Sequence, residues 1–133
     1  MPGIVFLSTE RLREIVDFYT SRLGMKVWLE QEDCTILQYD NLFLGFCQRE
    51  KANTEGIITF WFETNREVEE RYEDLMDLAE GPPAENAKYR IFHFFLRDPE
   101  GRRLEVQRFL NRRCSAVKLA DTEGETSGEG GSR

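Results

Sequence analysis

Ile57-Ile58-Thr59-Phe60-Trp61-Phe62 lies near the middle of a 133-residue chain and restarts an order of elements already begun at Ile4-Val5-Phe6-Leu7. Short runs of β-branched and aromatic residues favour strands. A helical pattern follows each run. Behind the first, Leu12, Ile15, Val16, Tyr19 and Leu23 recur at i, i+3, i+4, i+7 spacing; Thr9 is placed as the N-cap, Glu10 at the positive end of the helix, and Gly24 as the stop. Behind the second, Thr64 and Glu67 fit a capping box, and Val68, Tyr72, Leu75, Met76 and Ala79 carry an apolar stripe that Gly81-Pro82-Pro83 ends. A shift of 53 positions lays Ile4 on Ile57, Glu14 on Glu67, Ile15 on Val68, Tyr19 on Tyr72 and Leu23 on Met76. The chain therefore reads as two copies of one βαβββ unit.

Working outward, Met25 to Glu30 reads as a strand. Cys34 to Tyr39 and Leu42 to Cys47 form a hairpin around Asp40-Asn41, residue types that tolerate the positive φ of a two-residue turn. That loop pairs Gln38 with Phe43, Ile36 with Gly45 and Cys34 with Cys47. Tyr89 to Leu96 and Arg103 to Phe109 flank the turn Asp98-Pro99-Glu100-Gly101, where Pro presets φ and Gly takes the left-handed position. A three-residue loop there pairs Phe95 with Glu105 and His93 with Gln107, which puts the single histidine on the Glu105 face. Module one spans 3–48, a polar connector 49–56 and module two 57–110, forming one domain over 3–110. Residues 112–133 are acidic and rich in Gly and Ser, too poor in apolar groups to offset ordering entropy, and are expected to be a flexible tail.

The composition excludes several function classes. Lys and Arg number 18 against 25 Asp and Glu, with no basic stripe interleaved with aromatics, so a nucleic-acid partner is not expected. The first residues carry no basic n-region, and their apolar run breaks at Ser8-Thr9-Glu10, so neither a signal peptide nor a membrane span is expected. A soluble cytoplasmic protein is the expectation. Cys34, Cys47 and Cys114 are odd in number and lack CxxC spacing, which favours reduced thiols over a disulfide framework.

Asp17-Phe18-Tyr19-Thr20-Ser21-Arg22-Leu23-Gly24-Met25 resembles the "DFYxxxLGM" helix end of the vicinal oxygen chelate superfamily, which includes glyoxalases, bleomycin-resistance proteins and extradiol dioxygenases. Phe95-Leu96-Arg97-Asp98-Pro99-Glu100-Gly101-Arg102-Arg103-Leu104-Glu105 resembles its "FxDPDGxxxE" hairpin. The resemblance implies an α+β fold in which two βαβββ modules form a curved, barrel-like sheet around a cavity, with the helices outside. It also implies a frequent homodimer. The superfamily's metal ligands come from the first and last strands of each module, positions that fall here on Ile4, Gly45, Ile57 and Glu105. Only Glu105 can bind a metal, so no metal and no other cofactor is expected.

On the predicted registers, the implied cavity is lined by Phe6, Ile36, Phe43, Thr59, Trp61 and Phe95. Its polar or reactive points are His93, Glu105, Gln107, Cys34 and Cys47. Aromatic walls with a few polar groups suit a small organic ligand. His93 and Glu105 could form an acid/base pair; the alternative is a Glu105 hydrogen-bonded to His93 or Gln107 inside a filled interior. Cys34 and Cys47 read as a soft-metal or redox pair, or as two small buried apolar residues. Trp61 reads either as a ligand platform or as core. The reading favoured by the sequence is a metal-independent protein that binds an aromatic or amphipathic small molecule, a cationic one suiting the acidic chain. The alternatives are a lyase, isomerase or dioxygenase of the same superfamily, metal-dependent or using acid/base chemistry, and a structural or partner-binding domain with a filled cavity.

Overall fold

The computed structural model describes residues 2–110. In chain order the elements are β1 (Val5–Thr9), α1 (Leu12–Ser21), β2 (Lys26–Glu30), β3 (Cys34–Tyr39), β4 (Leu42–Gln48), β5 (Ile57–Trp61), α2 (Asn65–Leu75), β6 (Ala84–Asn86), β7 (Ile91–Arg97) and β8 (Arg103–Phe109). The fold is α+β, with βαβββ occurring twice. The expected tail, 112–133, lies outside the described residues. The two sheets have the same order, β1-β4-β3-β2 and β5-β8-β7-β6. The expected barrel-like sheet is corrected on one point: among the described residues the strands form two separate four-stranded sheets, because each copy of the repeat pairs its strands within itself. The chain divides into two compact units. Among the described residues, one runs through Ile58 and takes in Arg97–Arg103, and the other holds Thr59–Leu96 and residues 104–110.

In the first unit, α1 lays Ile15 and Tyr19, both 0% exposed, on β3 and β4, with the Tyr19 ring 4.9 Å from that of Phe46. Burying each such side chain contributes roughly 1.5–3 kcal/mol. The helix start differs from expectation. Thr9 is the last residue of β1, and the N-cap is Arg11, which makes no side-chain cap bond. The Thr9 hydroxyl is drawn away from capping: it donates to Glu100 Oε1 at 2.7 Å and accepts only from the Arg11 amide. Gln48 of β4 supplies the cap instead, its Oε1 accepting from the Leu12 amide at 2.9 Å and its Nε2 donating to the Glu10 carbonyl. Gly24, at φ 78°, takes the left-handed conformation after the helix, as the sequence implies. The β3–β4 pairings Cys34↔Cys47, Ile36↔Gly45 and Gln38↔Phe43 are those read from the sequence, and Asp40 has the expected positive φ at 55°.

The tip of the β7–β8 hairpin belongs to this first unit, where it builds a buried ionic cluster. Arg102 is 2% exposed and Asp98 5%. Arg102 Nη1 donates to Asp98 Oδ2 at 3.0 Å and to Glu100 Oε1 at 2.8 Å, Nε donates to the Asn53 carbonyl, and Nη2 donates to the Ser8 carbonyl. Tyr19 donates its hydroxyl to Asp98 at 2.7 Å. Burial, and then Asp98, raise the Tyr19 phenol above its ordinary value. At Glu100 burial works against the charge, but the Thr9 hydroxyl, the Glu10 amide and Arg102 outweigh it and hold the carboxyl below its ordinary value.

In the second unit the expected capping box is present: Glu67 N donates to the Thr64 hydroxyl, and the Glu67 carboxylate accepts from the Thr64 amide. Val68 and Leu75 are fully buried, and Tyr72 meets Phe94 edge-on at 5.4 Å. The helix ends at Leu75, short of the predicted stripe, and Met76 is 51% exposed. The amides of Leu78 and Ala79 fold back onto the Leu75 carbonyl and close the helix before Gly81 is reached. Strand β6 had no sequence signal, since Ala84-Glu85-Asn86 lacks apolar alternation; it is a strand because it pairs with β7, Ala84 opposite His93 and Asn86 opposite Ile91. Strand β7 starts at Ile91 and not Tyr89, because Arg90 takes a positive φ of 57°. Among the described residues no helix is long and apolar enough to cross a membrane.

Candidate functional site

The register of β7 and β8 is pinned at both ends. Asp98 N donates to the Arg102 carbonyl at one end, and Leu110 N donates to the Arg90 carbonyl at the other. A ladder running between these pairs without a net slip puts Phe95 opposite Glu105 and His93 opposite Gln107. Both fall at non-hydrogen-bonded positions, where opposed side chains come closest. Phe94 faces α2 through Tyr72. Its neighbours His93 and Phe95 therefore point to the other face of the sheet, which Glu105 and Gln107 share by alternation along β8.

On that face Glu105 is 7% exposed, and both its oxygens are engaged. The Thr59 hydroxyl of β5 donates to Oε1 at 2.9 Å, and His93 Nδ1 lies 2.7 Å from Oε2. With the carboxylate as acceptor, a neutral imidazole carries its proton on Nδ1, and Nε2 keeps a lone pair. The Phe95 ring stands edge-on to His93 at 5.0 Å, while Trp61 is 47% exposed, with its ring 6.3 Å from Phe109. Gln107 is 4% exposed, and its buried Oε1 accepts no hydrogen bond. The arrangement can hold a proton between His93 Nδ1 and Glu105, orient an imidazole, and offer acceptors beside aromatic rings.

His93, Glu105, Thr59, Gln107, Phe95 and Trp61 thus share one face of the second unit. Phe43, Cys34 and Cys47 lie in the first unit, on the face of β3 and β4 turned away from α1. There Phe43 packs edge-on with Trp28 at 5.1 Å. The expectation of reduced thiols is overturned: Cys34 and Cys47 form a disulfide, with their Cα atoms 4.0 Å apart. The register explains it. Gln48 N donates to the Asp33 carbonyl, so the next pair inward, Cys34 and Cys47, falls at the closer, non-hydrogen-bonded spacing. Counting cysteines did not show this, although the predicted pairing of the two residues already contained it. Thr59 was read from the sequence only as lining; its hydroxyl orients Glu105. The ionic cluster at the hairpin tip was not read at all, because Asp98, Glu100 and Arg102 look like solvated turn residues.

The residues at the superfamily's metal positions do not fit a metal. Ile4, Gly45 and Ile57 have no donor atom, and a Cβ at residue 45 would overlap the Phe6 ring. Glu105 is already hydrogen-bonded through both oxygens. Among the described residues no group of three or more His, Cys, Asp or Glu is placed to hold an ion.

No protein-family model matches the chain. No curated protein matches it by sequence. Solved structures do resemble it. A glyoxalase/bleomycin resistance protein/dioxygenase from Alicyclobacillus acidocaldarius superposes with a TM-score of 0.71 at 17% identity, covering 84% of this chain and 92% of that one. A protein of the same description from Nocardioides gives 0.70 at 16% identity, covering 98% and 89%. A lactoylglutathione lyase from Agrobacterium tumefaciens gives 0.67 at 17% identity, covering 81% and 92%.

Proposed function

With the fold of the glyoxalase/bleomycin resistance/dioxygenase proteins as its scaffold, we propose that this protein binds a small aromatic or amphipathic molecule on the β5–β7–β8 face around His93 and Glu105, without the metal such scaffolds carry. One observation carries the reading. Glu105, the only donor at the four metal positions, commits both oxygens to Thr59 and His93. A carboxylate held in this way is a fixed anchor for an imidazole, and the side chains of Ile4, Gly45 and Ile57 add no donor with which it could complete a metal site. The net charge of −7 favours a cationic ligand over an anionic one. Metal analysis of the purified protein tests the reading. The expected result is substoichiometric Zn, Ni, Mn and Fe, with thermal stabilisation by aromatic compounds. Near-stoichiometric metal that disappears in Glu105→Ala would overturn it.

The 2.7 Å His93–Glu105 contact favours a second reading, in which the face transfers a proton. His93 Nε2 would be the base, and Glu105 would hold the ring and stabilise its protonated form, as in lyase or isomerase chemistry. In that case His93→Gln abolishes turnover of a bound compound.

A further inference from the structure

Gln107 Oε1 is buried and has no hydrogen-bond partner among the described residues. A buried amide oxygen without a partner costs stability, and native structures keep such groups for a reason. Gln107 stands directly opposite His93 at a close, non-hydrogen-bonded position, where Cβ atoms are about 5 Å apart. The imidazole reaches along the strand to Glu105, and in the neutral Nδ1–H tautomer its Nε2 is an acceptor. The Gln107 oxygen and the His93 nitrogen therefore belong to directly opposed residues on the face that holds the Glu105 carboxylate. No donor among the described residues answers the Gln107 oxygen. The terminal torsion of a glutamine is soft, so the oxygen can turn toward an arriving group.

We propose that the ligand of this face is an aromatic molecule with two adjacent N–H donors, of the aryl amidinium class, bound by Gln107 Oε1 and His93 Nε2. This inference rests on the binding reading above and adds the ligand's donor pattern. A carboxylate could be met only by turning the Gln107 amide over and would still oppose the His93 lone pair, and a ring without donors would leave both acceptors unanswered. Phe95, edge-on to His93, lies on the same face to meet the aromatic body.

Three probes of similar size test this on the full chain by ligand-detected NMR and thermal shift at millimolar concentration: benzamidinium, benzoate and anisole. The expected order is benzamidinium binding at least about tenfold tighter than the other two, the cost of leaving a buried polar group unpaired. Gln107→Leu should remove that preference. Because the substitution deletes an unsatisfied acceptor, it should leave far-UV circular dichroism unchanged and raise Tm by about 3 °C. Equal binding of benzamidinium and anisole sinks the donor pattern and leaves the binding reading standing. Failure of all three probes to bind sinks both. A Gln107→Leu variant that keeps the preference, or melts lower than the parent, shows the amide to be structural and overturns the proposal.

Discussion

The hairpins β3–β4 and β7–β8 occupy the same place in their sheets, yet they are held together at opposite ends and have different chemistry on the face away from the helix. The β3–β4 tip is a two-residue turn, Asp40-Asn41, exposed to solvent, and its base is closed by the Cys34–Cys47 disulfide. Between tip and base its free face carries Ile36, Phe43 and Gly45, the last lying under the Phe6 ring. The β7–β8 tip is buried and ionic, its base is held by the backbone bond from Leu110 N to the Arg90 carbonyl with no covalent link, and its free face carries His93, Glu105 and Gln107. A hairpin secured at its tip can carry polar groups along its length, because strand pairing there does not depend on apolar contacts across that face. The first hairpin has apolar and covalent closure along most of that face, and its polar side chain there, Gln38, is turned back to the Asp40 carbonyl at the tip.

The sharpest way to break this contrast is to remove the ionic brace. Arg102→Met keeps the aliphatic stem and deletes the charge, leaving Asp98 and Glu100 buried without their cation and taking the guanidinium donor from the Asn53 and Ser8 carbonyls, of which Ser8 keeps the Asn53 amide. Breaking a buried pair from one side costs about 3–5 kcal/mol. Urea denaturation should show a loss of that size; a loss below about 1 kcal/mol would mean that the tip is not what secures the hairpin. Opening the base of the other hairpin should cost less. The disulfide joins residues separated by 13 positions in strands that the two-residue turn already brings together. Reduction, or a Cys34→Ala/Cys47→Ala double variant, is expected to cost about 2–3 kcal/mol on the same measurement. A larger loss than that of Arg102→Met would reverse the order of the two braces.

The same two hairpins show what could be read from residue order. Element order, both helices and the β3–β4 register were legible because hydrophobic period and turn chemistry are local properties. The duplication then supplied the topology, since two copies of one pattern call for two copies of one pairing scheme. His93 and Glu105 on one face followed from a loop length alone. Other features depend on distant partners. Thr9 has the composition of a helix cap, but a carboxylate 91 residues away takes its hydroxyl. The strand Ala84–Asn86 exists only because β7 offers a free edge. Asp98, Glu100 and Arg102 are the residue types that normally face water in a turn, and their burial depends on Tyr19, Thr9, Ser8 and Asn53 waiting in the first unit. The orphaned oxygen of Gln107 could not be read from sequence at all, because a missing partner is a property of packing.

The smallest expected effect is the most selective test of the contrast, because acid should weaken one brace and leave the other intact. Glu100 has its folded-state carboxyl held below the ordinary value, with Thr9, Glu10 and Arg102 outweighing burial. The unfolded chain therefore takes up a proton at a higher pH than the folded protein does. The stability contributed by Glu100 is fully present above the ordinary carboxylate value, about 4.3. It is lost progressively as the pH falls below that value and through the folded one. A disulfide does not titrate in this range. Denaturation midpoints measured between pH 7 and pH 3 should fall on the acid side, and Glu100→Gln should make that limb shallower at the expense of some stability at pH 7. If the disulfide-free double variant flattened the limb as much as Glu100→Gln does, the acid response would belong to the whole chain, and the hairpin tip would lose its separate role as an electrostatic brace.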